Sequence, residues 1–362
     1  MVLRKGVILN RLKKIFSVCD IDKLVISNAI SGCQDANFKY LTDFTSGLFE
    51  GDYLIADRNG IKLFCYPLEY ETAIKQSSKD IDVVRIDSWD KMRDSLINEL
   101  HNKRTGVNGG YLPLNTYTLL KNISSETPLD ISKSLMDARI TKDEYEIRRI
   151  KKACKLTKAA IKETMTLLRK NVTEKNIAEK FAEILVEKGA DSTSFESIVC
   201  FGKNASQPHH SPDMTKLKNG DFVLIDVGAK VDNYCSDITR TILFGKGNDY
   251  KKKEEMVDLV LATQNLAIKS IRPGELAKSI HSLAESNINS YADGIYKGKF
   301  IHSLGHSLGL EVHDGGGLGS YSDIKLADNM VFTVEPGIYI EGFGGVRFED
   351  DIVIRKNGTE VL

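Results

Sequence analysis

The apolar run Phe222-Val-Leu-Ile ends on Asp226. A carboxylate in so buried-looking a strand must find a partner, because an unpaired charge taken out of water is strongly destabilising. Taken alone, the segment leaves a helix-type cap, an arginine and a cation all open, and the first two are commoner. The stretch from Gly228 to Ser236 can return the chain antiparallel, which sets Asp237 beside Asp226 on a neighbouring strand. Two more acids repeat the pattern. Glu335 follows Val331-Phe-Thr-Val334, and Pro336-Gly337 turns the chain there, so its carboxylate stands at a strand end. In Val346 to Ile352 the two-residue period puts Arg347, Glu349 and Asp351 on one face, opposite Val346, Phe348 and Asp350.

Five of the seven histidines fall at His209, His210, His302, His306 and His313, a clustering that random placement would not produce. Imidazole ligates divalent metals, binds carbonyl oxygens and shuttles protons near neutral pH. A single buried histidine is ordinarily a satisfied core residue, but Gly305 and Gly309 around His306 let backbone or ligand approach closely. If Asp226, Asp237, Glu335 and Glu349 share one pocket they repel and stay partly protonated, unless two dications supply four compensating charges. Oxygen ligands with one imidazole suit Mn²⁺, Co²⁺, Fe²⁺ or Zn²⁺ better than thiolate-seeking metals.

At 362 residues the chain exceeds the size at which one core keeps growing, so two domains are expected. Residues 1–124 alternate short apolar runs (Lys23 to Ser27, Asp52 to Ala56, Ile61 to Cys65) with helical stretches such as Trp89 to Leu100, which reads as an α/β domain. The polar segment Asn122 to Pro128 is the candidate linker, with the boundary near Ser124. In residues 125–362, Thr141-Lys-Asp-Glu144 reads as a capping box opening a long amphipathic helix. A second helix runs from Thr173 to a stop at Gly189, and strands follow around 197–200, 222–226 and 237–244. The pattern recurs with helices at 252–271 and up to about Tyr291, then strands at 331–334 and 346–354. Two helices followed by strands, twice, suggests a pseudo-duplicated domain, with ordinary α+β alternation as the alternative.

Lys plus Arg and Asp plus Glu both total 50, so no bulk field invites nucleic acid or an anionic membrane. The first ten residues lack the apolar run and cleavage site of a secretory signal, and no stretch of 18 apolar residues occurs; a cytoplasmic protein is expected. Cys19, Cys33, Cys65, Cys154, Cys200 and Cys235 are scattered without CxxC spacing, which fits reduced, mostly buried thiols, Cys235 included.

Together these segments resemble the pita-bread metallopeptidases, the superfamily of methionine aminopeptidase, aminopeptidase P, prolidase and the metal-free creatinase. The resemblance covers residues 125–362, and Tyr40-Leu-Thr-Asp-Phe44 makes the preceding domain similar to the creatinase-type N-terminal domain. It implies an α+β protein whose catalytic domain joins pseudo-twofold duplicated helices to an antiparallel sheet. The family's metal ligands are two Asp eleven residues apart, a His in Gly-His-x-x-Gly, and two Glu fourteen residues apart. Asp226, Asp237, His306, Glu335 and Glu349 fill those positions. By the same resemblance Pro208-His209 is the substrate loop, His209, His302 and His313 line the cleft and steady the tetrahedral intermediate, and Tyr339 and Arg347 form a network beside the metals. Departures are small: Ser307 stands where glycine or tryptophan is common, and Asp43 where glycine is usual.

What the resemblance implies is a peptidase with two divalent ions per subunit, Mn²⁺ or Co²⁺ ahead of Zn²⁺ or Fe²⁺, cutting Xaa-Pro bonds through a metal-bridging hydroxide. Glu335 would move the proton and His313 help hold the oxyanion. Proline's tertiary nitrogen has no N–H for an ordinary protease to recognise, which makes a dedicated enzyme reasonable. A prolidase acting on dipeptides is favoured over aminopeptidase P, which removes the residue before proline from longer peptides. A homodimer is expected, with small peptides as partners and no role at nucleic acid or membrane. The rival classes are a non-catalytic pita-bread binding module and a creatinase-like hydrolase; relatives of both kinds lose the metal ligands that are present here.

Overall fold

The computed structural model describes residues 6–28 and 34–362, so Cys33 and the first five residues, part of the segment read for a secretory signal, lie outside the described residues. The chain divides into two compact units, Met1–Arg139 and Ile140–Leu362. In the first, strands β1 (Lys23–Ser27), β2 (Tyr53–Ala56), β3 (Ile61–Cys65), β4 (Ile81–Arg85), β5 (Thr105–Val107) and β6 (Leu129–Asp130) form one mixed sheet in the order β4-β3-β2-β1-β5-β6. Helices α1 (Val7–Val18), α2 (Ala36–Thr42), α3 (Pro67–Gln76), α4 (Trp89–Leu100), α5 (Leu114–Ile123) and α6 (Ser132–Ile140) accompany it. Met92, Leu96 and Leu100, at helical spacing on α4, bury against Val25, Ile55 and Phe64 of the sheet. The α/β reading of this region matches that architecture. The boundary near Ser124 does not coincide with the division after Arg139, because Leu129–Asp130 pairs parallel with Gly106–Val107 and keeps the polar segment tied to the first sheet.

The second unit begins with α7 (Glu144–Met165) and α8 (Glu174–Glu187). The capping box is real but sits two residues later than Thr141–Glu144: Asp143 caps α7 and Glu146 returns the bond, while Thr141 bridges to Met330. Ile147, Ile150, Cys154, Ala160 and Ile161 are buried along α7 as the periodicity requires, and truncating Ile150 to Ala would cost roughly 2–5 kcal/mol. Strands β7 (Ser192–Thr193), β8 (Ile198–Phe201), β9 (Asp221–Val227), β10 (Ala229–Val231), β11 (Tyr234–Cys235) and β12 (Ile238–Phe244) follow. Next come α9 (Tyr250–Ser270) and α10 (Ala277–Asn289), then β13 (Val331–Val334), β14 (Gly337–Ile340), β15 (Gly344–Arg347), β16 (Asp350–Arg355) and β17 (Gly358–Val361).

The helix pair α7 and α8 is followed by the antiparallel sheet β12-β9-β8, and the pair α9 and α10 by the antiparallel sheet β13-β16-β17. The duplicated α+β order read from the sequence is thus present as two helices and a three-stranded sheet, repeated. Leu224, Phe332, Ile352 and Ile354 from the two sheets share one core with Met256, Val260 and Ile280 of α9 and α10. Among the described residues, no helix is long and apolar enough to cross a membrane.

Candidate metal centre

β9 is the central strand of its sheet, and Asp226 lies one step from its end, opposite Thr239 of β12. Between the two strands the β10–β11 hairpin turns through Asp232 and Asn233 at φ 48° and 72°, the pair of left-handed residues that a two-residue hairpin turn needs. The chain therefore returns antiparallel and sets Asp237 at the mouth of β12, beside Asp226.

His306 stands on an extended segment bridged to Gly317, and the next residue, Ser307, is bridged to Phe332 of β13. A Cβ on Gly305 would lie 2.0 Å from the Thr333 carbonyl oxygen, so only glycine lets the two backbones meet here. Thr333 then serves two site residues: its hydroxyl accepts the His306 N–H at 3.0 Å and donates to Glu335 Oε1 at 3.1 Å. Glu349 sits in the break between β15 and β16, where its Oε2 accepts the Thr239 hydroxyl at 2.6 Å and its N–H reaches the Thr239 carbonyl at 3.1 Å.

These elements bring Asp226, Asp237, His306, Glu335 and Glu349 onto the walls of one cleft of about 630 Å³, within the range of ligand sites. His209, His302, His313 and Arg347 line the same cleft. Tyr339 stands behind it, accepting from Arg347 Nη1 at 2.7 Å and meeting His302 Nε2 at 2.9 Å. His302 Nδ1 faces the Ser303 carbonyl at 2.8 Å. A carbonyl only accepts, so Nδ1 carries the hydrogen and Nε2 takes the Tyr339 hydroxyl proton. All ten residues singled out from the sequence are in or directly behind this cleft.

His306 uses the same logic. Its Nδ1 faces the Ser307 carbonyl at 3.4 Å, while Nε2 lies 3.5 Å from Asp237 Oδ2 and 3.4 Å from Glu335 Oε1. The His313 ring packs edge-on against it, with centroids 4.2 Å apart. One ligand atom from each of Asp237, His306 and Glu349 lies within 4.8 Å of the others.

The electrostatics are those of a site short of positive charge. Burial, then the neighbouring Glu349, Asp226 and Asp351, push Asp237 well above the usual carboxylate range. Burial and Glu335 do the same to Glu349. Glu335 is raised to about 8 by burial, with Arg347 opposing the shift. His306 is lowered to about 4 by burial and the adjacent His313, and His302 to about 4 by burial and Arg347. Oδ1 of Asp226 and Oδ1 of Asp237 are buried with no hydrogen-bond partner. Unpartnered carboxylate oxygens beside a free imidazole lone pair suit a divalent cation.

Three supporting residues carried no role in the sequence reading: Thr239, Thr333 and Asp351. Asp351, on the same face as Arg347 and Glu349, accepts the Asp237 N–H at 3.0 Å and the Cys154 thiol at 3.1 Å. Burial raises it to about 7. The two threonines alternate with site acids at a spacing of two, Asp237-x-Thr239 and Thr333-x-Glu335, the one signal that marks them.

Clustered carboxylates and imidazoles in an open cleft, built on duplicated helix-and-sheet halves, define a metal-dependent hydrolase. The sequence places it further: residues 148–356 match Metallopeptidase family M24, and residues 9–141 match the Creatinase/Prolidase N-terminal domain. The chain belongs to family M24 and is a metal-dependent peptidase of pita-bread fold. It is 33% identical to the Xaa-Pro dipeptidase of Pyrococcus furiosus over 98% of this chain and 97% of that protein. An Xaa-Pro dipeptidase structure from Bacillus anthracis superposes with a TM-score of 0.87 at 29% identity, covering 98% of this chain and 96% of that one. An X-Pro aminopeptidase structure from Thermotoga maritima superposes with a TM-score of 0.86 at 29% identity, covering 96% and 97%.

Proposed function

We propose that this chain hydrolyses Xaa-Pro bonds, with dipeptides as the favoured substrates, and holds two divalent ions, Mn²⁺ or Co²⁺ ahead of Zn²⁺ or Fe²⁺. The observation that carries the reading is the convergence of four carboxylates and one imidazole lone pair, with two buried carboxylate oxygens lacking partners, in one cleft. Asp226, Asp237, His306, Glu335 and Glu349 would hold the ions. When bound, such ions activate water and polarise the scissile carbonyl.

The chain's own groups supply the rest. Glu335, at the cleft wall with one oxygen on the Thr333 hydroxyl, is the group to accept a proton and pass it to the leaving proline nitrogen. His313, edge-on to His306, is aimed at the carbonyl oxygen of the substrate, and His209 and His302 frame the peptide. Arg347 and Tyr339 hold Asp226 and His302 in place, so this network sets the geometry of the cleft wall. A cytoplasmic homodimer is part of the reading, on the resemblance to prolidases.

The dipeptidases and the aminopeptidase among its relatives superpose on the chain about equally, so substrate length is the point to test. Hydrolysis of Met-Pro is compared with that of Met-Pro-Gly-Gly under one metal. Cleavage of the dipeptide alone supports the dipeptidase reading, and preference for the tetrapeptide moves the protein to the aminopeptidase branch.

A further inference from the structure

Glu174 is the first residue of α8, fully buried, and takes no part in the metal cluster or the network behind it. Its two oxygens collect four donors, one from the end of β8 and three from the segment after it that carries His209. Oε1 accepts the Phe201 N–H at 2.6 Å and the Asn204 side-chain amide at 2.9 Å. Oε2 accepts the Asp213 N–H at 3.1 Å and stands 2.8 Å from His210 Nε2. A carboxylate only accepts, and the Asn204 amide nitrogen 3.1 Å from the same Nε2 has both hydrogens placed on Glu174 Oε1 and the Thr215 hydroxyl, so the Nε2–H tautomer of His210 is the one that satisfies these contacts.

The loop is pinned on both sides of His209. On one side the Pro208 carbonyl is within 3.4 Å of Arg347 Nη2, the same nitrogen that holds Asp226. On the other, His210 is tied to Glu174. His209 itself is exposed and lines the cleft, while His210 does not. Gln207 to His210 forms a turn closed by the His210 N–H on the Gln207 carbonyl at 3.2 Å, with Pro208 and His209 at its two central positions, so holding the Pro208 carbonyl and the His210 ring fixes the direction in which the His209 ring leaves the turn.

We propose that Glu174 and His210 are positioning residues: the buried carboxylate, acting through His210, aims His209 at the peptide bound in the cleft. This rests on the reading of His209 as a substrate-contacting residue. Mispositioning of a substrate-contacting group by about an ångström costs on the order of a hundredfold in rate. The effect should fall on turnover of the bound peptide and spare the metal ligands, which come from other segments of the chain.

The test is a double-mutant cycle on the metal-loaded full chain, with Met-Pro as substrate and metal content measured for every variant. His210→Ala should lower kcat/KM about tenfold or more with metal content unchanged, and His210→Gln, which restores an N–H donor, should recover most of the loss. In the His209→Ala background, His210→Ala should cost little further, because it acts through a ring no longer present. Glu174→Gln, which turns one acceptor into a donor, should behave as His210→Ala if it folds; the His210 variants carry the test if it does not. Losses that multiply independently, or full activity in His210→Ala, would overturn the proposal. His209→Ala alone tests the reading beneath it: full activity there removes His209 from the site, and a loss in His210→Ala alongside it would mean that the pair acts elsewhere.

Discussion

Arg347 Nη2 donates to Asp226 Oδ2 at 2.5 Å and leaves Asp226 Oδ1 buried without a hydrogen-bond partner. One oxygen is therefore oriented by a permanent cation, and the other is left for a further partner. The same guanidinium reaches Tyr339 through Nη1 and the Thr239 hydroxyl through Nε at 3.1 Å, so three donors of one planar group set three neighbours at once.

Arg347→Lys should not rescue what Arg347→Met loses. A lysine offers one point charge where a flat three-way fork is needed, and an unpaired buried partner costs about 3–5 kcal/mol. Both variants should lose at least tenfold in kcat and melt earlier than the parent. Near-parental turnover in the lysine variant would show that charge alone suffices.

Substitutions at the metal ligands and at His313 should separate cleanly. Asp226→Asn or Glu349→Ala should lose bound metal and activity together, whereas His313→Ala should keep its metal and lose rate by about a hundredfold, the scale of a single oxyanion donor. Metal analysis alongside kcat decides it. Loss of metal from His313→Ala would exchange the roles of His313 and the ligands.

Metal binding should release protons. In the metal-free site Glu335 titrates near 8, and Asp237 and Glu349 are held above their usual range, so below about pH 8 a proton must leave before a carboxylate can ligate. His306, held down near 4, presents its lone pair throughout. Apparent affinity should thus rise with pH from 6 to 8. Calorimetry in buffers of different ionisation enthalpy should give a proton-release slope; a slope of zero at pH 6.5 would mean that the metal-free carboxylates are already ionised.

In the first unit, Asp52 is raised by burial from 3.8 to about 6, although it accepts the Tyr66 N–H at 3.0 Å and the Cys65 thiol at 3.2 Å. Its folded value exceeds the unfolded one, so the folded state binds more protons between about pH 4 and 6 and stability falls as pH rises through that window. Above it the charged carboxylate stays as a penalty, at most about 3 kcal/mol at roughly 1.4 kcal/mol per pH unit. Asp52→Asn should raise the melting temperature at pH 7 and leave it nearly unchanged at pH 4. Equal shifts at both would remove the linkage.

Asp226 and Glu335 were legible because each ends an apolar run, and Glu349 because the two-residue period of its segment puts it on one face with Arg347, while the set of five ligands came from the family resemblance. The hairpin that returns Asp237 was legible from local turn residues. What stayed hidden depends on partners far along the chain. Thr239 matters because β12 lies against Glu349, and Asp351 because its oxygen reaches the Asp237 backbone. Nothing near Glu174 in sequence signals that a loop some thirty residues on will close over it. The cap of α7 fell at Asp143, two residues past Thr141, since Thr141 is drawn into a bridge with Met330 that outcompetes a local cap.

The measurement closest to the central claim is Met-Pro hydrolysis by chelator-treated, folded protein as Mn²⁺ or Co²⁺ is titrated back. Two ions held by Asp226, Asp237, His306, Glu335 and Glu349 predict no activity at the start and full recovery as two equivalents bind. Activity that persists in chelator, or a folded protein that binds both ions and still leaves Met-Pro intact, would contradict it.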